Sequence, residues 1–289
     1  MSTFVSLFGG VKPVIGMIHL APLPGSPRGG DLGEALDRAQ RDAEALTNAG
    51  VDGLIVENFG DAPFAKERVP PATVAAMAVV CREIRRDHNV ALGVNVLRND
   101  AESAVSIASV VGCDFFRVNV HVGAVVADQG ILEGRARETL LLRKALGSSV
   151  LLFADVRVKH ARPLGGEAGL AGLVAEASDA ARRGMADALI LSGIATGESA
   201  DPEEFRAVKA ALPAVPLLVG SGVTARNIGE FWPICDGMIV GSATKRSGDA
   251  RAEVDPARAR EILDAASELR RVHARAGETG HDPSRERAR

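Results

Sequence analysis

The feature that most constrains this chain is a regular alternation between short apolar runs and longer segments of helical period. The apolar runs, rich in Val, Ile and Leu, predict strands near 12–20, 52–58, 91–97, 115–121, 150–159, 187–192, 216–221 and 236–241. The segments that follow them predict helices near 31–49, 71–88, 100–111, 133–146, 167–184, 202–212, 225–232 and 256–275. Strands that are apolar along their whole length are typical of a parallel sheet covered on both faces.

Eight β-α units in a row favour a closed (β/α)8 TIM barrel of the α/β class, with an open doubly wound sheet as the alternative. A chain of 289 residues suits such a barrel as a single domain. We assign residues 11–276 to the barrel and residues 1–10 to an N-terminal extension that would form a plug or short helix beneath it. Residues 277–289 lack large apolar side chains, and we predict a disordered tail there.

Composition argues against several classes of partner. A net charge of −3, an aromatic content of 3% and the absence of Tyr give no basic or stacking surface for nucleic acid. No apolar run is long enough to cross a membrane, so we expect no membrane insertion. Cys81, Cys113 and Cys235 lie far apart without zinc-finger spacing, which fits reduced thiols and predicts a cytoplasmic protein.

Two runs near the end of the chain finish in the same Val-Gly-Ser turn: "VPLLVGSGVT" (215–224) and "DGMIVGSATK" (236–245). In a barrel these turns follow the seventh and eighth strands, where many barrels bind phosphate. Gly lets the backbone approach an anion, and Ser and free N–H groups donate hydrogen bonds. The predicted substrate- or phosphate-binding residues are Asn95, Ser192, Gly193, Gly220, Ser221, Gly222, Gly241 and Ser242. An ordinary strand-to-helix turn is the alternative interpretation.

Polar residues alternate with Val in the two neighbouring runs "FFRVNVH" and "LLFADVRVKH". Because side chains alternate along a strand, one parity of each run should point into the barrel. That inward set is Arg117, Asn119, His121, Asp155, Arg157 and Lys159. Arg117 and Arg157 lie deeper and are predicted ion-pair partners for Glu57 or Asp155, whereas Lys159 should enter the mouth beside Asp155.

Polar groups at the carboxyl ends of barrel strands are typical of catalytic sites. His19 and Glu57 end two further apolar strands, and the predicted catalytic set is His19, Glu57, Asn119, His121, Asp155 and Lys159. A Lys beside a carboxylate suits a general base or a Schiff-base nucleophile. We assign no definite cofactor. A divalent metal is the alternative, and its ligands would be His19, Glu57, His121 and Asp155. The Gly-rich stretch 162–169 is predicted to be a mobile lid.

Several segments together resemble the BtpA/SgcQ family. They are "KPVIGMIHLAPLPGSPRG", "DGLIVENFGDAPF", "GVNVLRND", "FFRVNVHVGA", "ILEGRA", "FADVRVKHA", "LILSGIATG" and "VGSGVT", spread over about residues 11–250. The resemblance implies a barrel related to phosphate-binding barrels. It also implies either a link to photosystem I biogenesis, as for the namesake, or a role near sugar metabolism, as for SgcQ-type members. It implies no catalytic residues.

Two functions follow as hypotheses. The first is an enzyme that isomerises or cleaves a small phosphorylated sugar or nucleoside-like metabolite at the carboxyl rim of the barrel. The second is a non-catalytic assembly factor for a membrane complex such as photosystem I. The expected partners are a small phosphorylated ligand and further copies of the chain in a homo-oligomer, with no nucleic acid.

Overall fold

The computed structural model describes residues 3–193 and 200–279, and eight parallel strands form a closed barrel at its centre. The barrel strands are β1 (Val14–His19), β2 (Gly53–Glu57), β3 (Ala91–Asn95), β4 (Phe115–Val118), β7 (Leu151–Val156), β9 (Ala188–Leu191), β10 (Leu217–Val219) and β11 (Gly237–Val240). Consecutive barrel strands pair side by side, and β1 pairs with β11 to close the ring. The predicted TIM barrel is therefore confirmed, and an open sheet is excluded.

Helices follow the barrel strands on the outside. The helices are α1 (Phe4–Leu7), α2 (Leu32–Ala49), α3 (Pro71–Asp87), α4 (Ala101–Val111), α5 (Ala136–Ala145), α6 (Gly169–Ser178), α7 (Pro202–Ala211), α8 (Ile228–Phe231) and α9 (Pro256–Thr279). Local signals set their ends: the Asp31 carboxylate accepts a hydrogen bond from the Glu34 amide, and Gly50 ends α2 with φ of 93°. Helix α9 continues to Thr279, three residues past the predicted boundary at 276. The rest of the predicted tail, 280–289, lies outside the described residues.

Two apolar layers stabilise the barrel. The larger layer lies between the strands and the outer helices, and a second cluster fills the amino-terminal end of the barrel. In that inner cluster Phe115 and Phe153 stack with ring centroids 4.5 Å apart, and Phe4 of α1 lies 5.8 Å from Phe153. The N-terminal segment thus closes the bottom of the barrel, as a plug would. This leaves the carboxyl end for a ligand.

A small antiparallel sheet, which the sequence pattern did not predict, lies beside the mouth. Its strands are β5 (Ala124–Ala127), β6 (Gly130–Glu133) and β8 (Ala161–Pro163). Part of the loop predicted as a mobile lid therefore pairs with β5. Strands of three or four residues are too short to show a clear period of two, and this sheet packs only a small cluster around Val120 and Leu132. We call these three strands the cap sheet.

Gly93 is a position where the barrel interior leaves no room for a side chain. A Cβ at Gly93 would lie 2.1 Å from Cε2 of Phe115, inside the inner aromatic cluster. We predict that Gly93→Ala lowers the free energy of unfolding by about 1–3 kcal/mol, the usual cost of overpacking a core. Gly229→Ala is the matched control, because no atom lies within 4 Å of a Cβ built there. Chemical denaturation of both variants tests this, and equal stabilities would contradict it.

Candidate functional site

A cavity of about 390 Å³ opens at the carboxyl end of the barrel. It is bounded by side chains and turns that follow strands on opposite sides of the ring. Nine of the predicted site residues line it: His19, Glu57, Asn119, Lys159, Gly220, Ser221, Gly222, Gly241 and Ser242. The structure therefore brings both Gly-Ser turns and most of the predicted acid–base groups to a single cavity.

The two Gly-Ser turns present backbone N–H groups to this cavity. Gly222 has φ of 75°, which only Gly adopts readily, and a single turn of 3₁₀ helix begins after Gly241. Among the described residues, the N–H groups of Gly222, Val223, Ser242 and Ala243 find no hydrogen-bond acceptor. Free N–H groups in consecutive turns are the donors that an oxyanion requires.

A buried ion pair holds the second turn in place. The Lys245 ammonium lies 2.7 Å from Oδ2 of Asp42 on α2, and both side chains are almost completely buried. The other Asp42 oxygen accepts a hydrogen bond from the Val254 amide at 2.6 Å. The hydroxyl of Thr244 donates to the Gly241 carbonyl at 2.8 Å. The position of the second turn is therefore fixed from behind by α2.

Three of the predicted binding residues contact the site from behind rather than line it. Asn95 donates from Nδ2 to Oε2 of Glu57 at 2.7 Å, so its amide orients the carboxylate. The Gly193 amide donates to Oγ of Ser221 at 3.1 Å. The Ser192 hydroxyl is buried, and no described residue bonds to it.

His19 and Glu57 form one wall of the cavity. Nδ1 of His19 lies 2.8 Å from the Ala250 carbonyl, which can only accept, so this nitrogen carries the proton in the neutral ring. Nε2 then has a free lone pair and lies 3.6 Å from Oε1 of Glu57. The ring stacks on Phe59 with centroids 4.4 Å apart. Burial, assisted by the charge of Lys245, lowers the pKa of His19 well below 6.5.

Arg117, Asp155 and Asn119 form a buried network at the base of the cavity. Arg117 donates from Nε and Nη2 to the two oxygens of Asp155 at about 3.0 Å, which confirms the predicted ion pair. Asn119 donates from Nδ2 to Oδ2 of Asp155 at 2.6 Å. Oδ1 of Asn119 is buried and accepts no hydrogen bond from the described residues. A ligand with a donor group would satisfy this oxygen.

Lys159 lines the cavity, but it does not pair with Asp155 as predicted. Arg117 and Asn119 already occupy that carboxylate, and Nζ of Lys159 makes no hydrogen bond or ion pair within the described part of the chain. Burial, together with the charge of Arg117, lowers the pKa of Lys159 to about 8. The amine is therefore close to the pKa that suits proton transfer or nucleophilic attack near neutral pH.

His121 and Arg157 lie away from the cavity, which corrects the prediction that both side chains point into the barrel. Nε2 of His121 lies 2.7 Å from the Gly184 carbonyl, and the ring lines a different surface cavity on the side of α5. Arg157 has φ of 54° and forms an ion pair with Glu176 of α6. The strict alternation fails because β4 ends at Val118 and β7 ends at Val156, so the parity of the strand no longer directs the residues beyond them.

Three charged residues of the cavity wall were missed by the sequence analysis: Arg98, Asp128 and Arg251. Arg98 lies in the loop after β3. It could have been predicted, because functional residues commonly follow the strands of a barrel. Asp128 lies in the turn between β5 and β6, and Arg251 follows the last 3₁₀ turn. No local pattern indicates that either of these two reaches the mouth.

The proposed metal ligands are not assembled into one site. In residues 3–193 and 200–279, no group of three or more His, Cys, Asp or Glu side chains is arranged to hold a metal ion. His121 faces another cavity, and Asp155 is bound by Arg117. All three cysteines are free and buried. No described helix is long and apolar enough to span a bilayer.

The fold and the position of this cavity define a TIM-barrel protein with its candidate site at the carboxyl mouth. Among solved structures, the tryptophan synthase from Mycobacterium tuberculosis matches with a TM-score of 0.58 and 14% identity, over 92% of this chain and 99% of that one. The N-(5'-phosphoribosyl)anthranilate isomerase from Pyrococcus furiosus matches with a TM-score of 0.54 and 14% identity, over 89% and 99%. Identities this low show the fold alone.

The family is shown by sequence. The model of the BtpA family matches residues 10–268, and the chain belongs to this family. The photosystem I biogenesis protein BtpA of Synechocystis sp. is 46% identical over 89% of this chain and 88% of the relative. An uncharacterized protein of Thermococcus kodakarensis is 47% identical over 90% of this chain and 97% of the relative.

The lowered pKa of His19 predicts a specific pH dependence of stability. Between the folded-state pKa and the unfolded value of about 6.5, the unfolded chain binds more protons, so stability is lost as the pH falls through this window. We expect the melting temperature to rise between pH 5 and about pH 6.5, and His19→Gln to reduce that slope.

His121 has a pKa lowered by burial as well, so part of the slope should remain in His19→Gln. His273→Gln, on the exposed face of α9, should retain the full wild-type slope. Thermal unfolding of the three proteins across this pH range is the measurement. An unchanged slope in His19→Gln would show that His19 is not held neutral.

Proposed function

We propose that this chain is an enzyme that acts on a small phosphorylated sugar or nucleoside-like metabolite. The observation that carries the proposal is the composition of one cavity. In this cavity, N–H groups of the two Gly-Ser turns, Nε2 of His19 and the amine of Lys159 have no hydrogen-bond partner among the residues that the structure describes. Anion donors beside proton-transfer groups are the two parts that such an enzyme requires.

The charge of the cavity supports an anionic ligand. Four cationic side chains line it, namely Arg98, Arg117, Lys159 and Arg251, and the carboxylates in the same wall are Glu57 and Asp128. Asp155, which neutralises Arg117, lies beneath them. A cavity that contains more cationic than anionic side chains attracts and orients a phosphate group.

The acid–base groups suggest the roles in catalysis. The neutral His19 ring would accept a proton at Nε2, and Glu57, oriented by Asn95, would stabilise the imidazolium that forms. Lys159 would deliver a proton or attack a carbonyl carbon. Asn119 would accept a hydrogen bond from a substrate hydroxyl through Oδ1. Isomerisation, aldol-type cleavage and glycosidic-bond cleavage each use such a pair of proton donor and acceptor.

The structural neighbours support the phosphorylated class of substrate. One neighbour is an isomerase of N-(5'-phosphoribosyl)anthranilate, and its site lies on the same fold. Phosphate sites in this architecture recur at the loops after the last two strands, the position of the Gly-Ser turns.

The alternative is a non-catalytic assembly factor, and the name of the Synechocystis relative favours it. Such a role has no need of a buried neutral His and a Lys without an ion-pair partner among the described residues in the cavity at the barrel mouth. For this reason we propose a small-molecule partner rather than a membrane complex. The cytoplasmic location and the homo-oligomer stay predictions from the sequence.

Ligand binding separates the two functions. We expect inorganic phosphate and phosphorylated sugars to raise the melting temperature, because a ligand at 100 times its Kd stabilises the folded state by about 2.7 kcal/mol. Ser242→Asp should abolish the shift by placing a negative charge among the free N–H groups. Ser149→Asp makes the same change before β7, at the opposite end of the barrel, and should retain it. Indifference of the wild type to every phosphorylated compound would favour the assembly factor.

Lys159 provides the second test. We predict that Lys159→Ala lowers turnover by about 10² or more, the usual effect of a positioned acid or base. Phosphate binding and stability should change little, because Asp155 keeps its partners Arg117 and Asn119. Turnover and melting temperature are measured on the same sample, with Lys144→Ala on α5 as the control. Normal turnover in Lys159→Ala would remove this residue from the catalytic site.

A further inference from the structure

Arg98 lies across the barrel mouth from the Gly-Ser turns. It follows β3, and the order of strands around the ring places β3 and β4 opposite β10 and β11. Its guanidinium lines the same cavity as the turns. A ligand whose phosphate binds at the turns would therefore direct its other end toward Arg98.

Arg98 is buried without a carboxylate partner. Its residue is 7% exposed, and Nη2 donates to the carbonyl oxygen of Lys159. Nε and Nη1 donate to no described residue, and no carboxylate of the described chain forms an ion pair with this guanidinium. The nearby Asp155 is bound by Arg117, and the nearby Glu57 is bound by Asn95. The third nearby carboxylate, Asp128, is exposed to solvent and forms no ion pair with Arg98 within the described chain.

This lack of a partner distinguishes Arg98 from the other cations that are buried to the same degree. Three Arg or Lys residues are buried in the described part of the chain. Two of them are paired: Arg117 with Asp155, and Lys245 with Asp42. A buried cation without a counterion carries a large desolvation cost, so an unpaired one at a cavity wall indicates that a ligand supplies the negative charge.

We propose that Arg98 binds a second anionic group of the substrate, so that the substrate is a small compound with two anionic groups, a phosphate at one end and a carboxylate, or a second phosphate, at the other. The proposal rests on the proposed phosphate site at the Gly-Ser turns. Nη2 carries two N–H groups and donates one of them to the Lys159 carbonyl. The guanidinium therefore keeps one edge, Nε with Nη2 or Nη1 with Nη2, whose two N–H groups match the two oxygens of a carboxylate, which makes a phosphorylated sugar acid the favoured class. A cavity of about 390 Å³ suits a ligand of this size.

Matched pairs of ligands test the proposal in the wild-type protein without any substitution. Isothermal titration compares glycerol 3-phosphate with 3-phosphoglycerate, which differ by a carboxylate, and ribulose 5-phosphate with ribulose 1,5-bisphosphate, which differ by a phosphate. We expect at least one ligand with two anionic groups to bind about tenfold or more tightly than its monophosphate partner. The pair that shows the preference identifies whether the second group is a carboxylate or a phosphate.

Substitution of Arg98 then tests whether this residue causes the preference for the second anionic group. Arg98→Met should remove it and leave the Kd of the monophosphates within about twofold. Arg162→Met removes an exposed arginine of the cap sheet and should retain it. Without ligand, Arg98→Met should melt at the wild-type temperature or above, because the variant no longer buries an unpaired charge. A marked fall in melting temperature would instead indicate a structural role for Arg98.

The failures are distinguishable. A wild-type protein that binds the members of each pair equally overturns the proposal of a second anionic group and leaves the phosphate site standing. A preference that survives in Arg98→Met overturns the assignment to Arg98. A protein that binds no phosphorylated compound overturns the proposed function, and the proposal of a second anionic group with it.

Discussion

The buried pair of Arg117 and Asp155 is the interaction on which the mouth of the barrel depends. It joins the neighbouring strands β4 and β7 beneath the cavity, and Asp155 also accepts a hydrogen bond from Asn119. Because Arg117 and Asn119 occupy this carboxylate, Lys159 forms no ion pair with it. Within residues 3–193 and 200–279, no donor reaches Oδ1 of Asn119. One satisfied charge pair thus leaves two unsatisfied groups above it, and these are the groups that can interact with a ligand.

The mouth contains two kinds of group. The Gly-Ser turns present backbone N–H groups, and the buried pair of Lys245 and Asp42 fixes the second turn. Lys159 and Arg98 follow strands farther around the ring, whereas His19 lies beside the second turn because β1 pairs with β11. Backbone donors are rigid and suit the part of a ligand that remains unchanged. His19 and Lys159 have pKa values lowered by burial and suit the part of a ligand that reacts.

Much of this could be predicted from the sequence. Eight buried strands have the same apolar pattern, and the Gly-Ser turns and His19 lie directly at strand ends, so the repeat locates them at the mouth. The cap sheet was not predictable from the pattern because its strands are short and half exposed. For the same reason Asp128, in its turn, gave no signal.

By itself the sequence determined the barrel and the end at which its site lies, because the alternation of strand and helix leaves few ways to bury eight apolar runs. Only the tertiary structure decided which polar residues share the cavity. His121 and Arg157 had the same spacing as Asn119 and Asp155, yet they bond to Gly184 and Glu176 outside the barrel. Asn119 also follows the end of its strand, but its bond to Asp155 holds it at the cavity. Arg98 follows a barrel strand, but it became a candidate only because the fold buries it without an ion-pair partner among the described residues. Charge pairing is a property of residues brought together in space, so it cannot be read from their order in the chain.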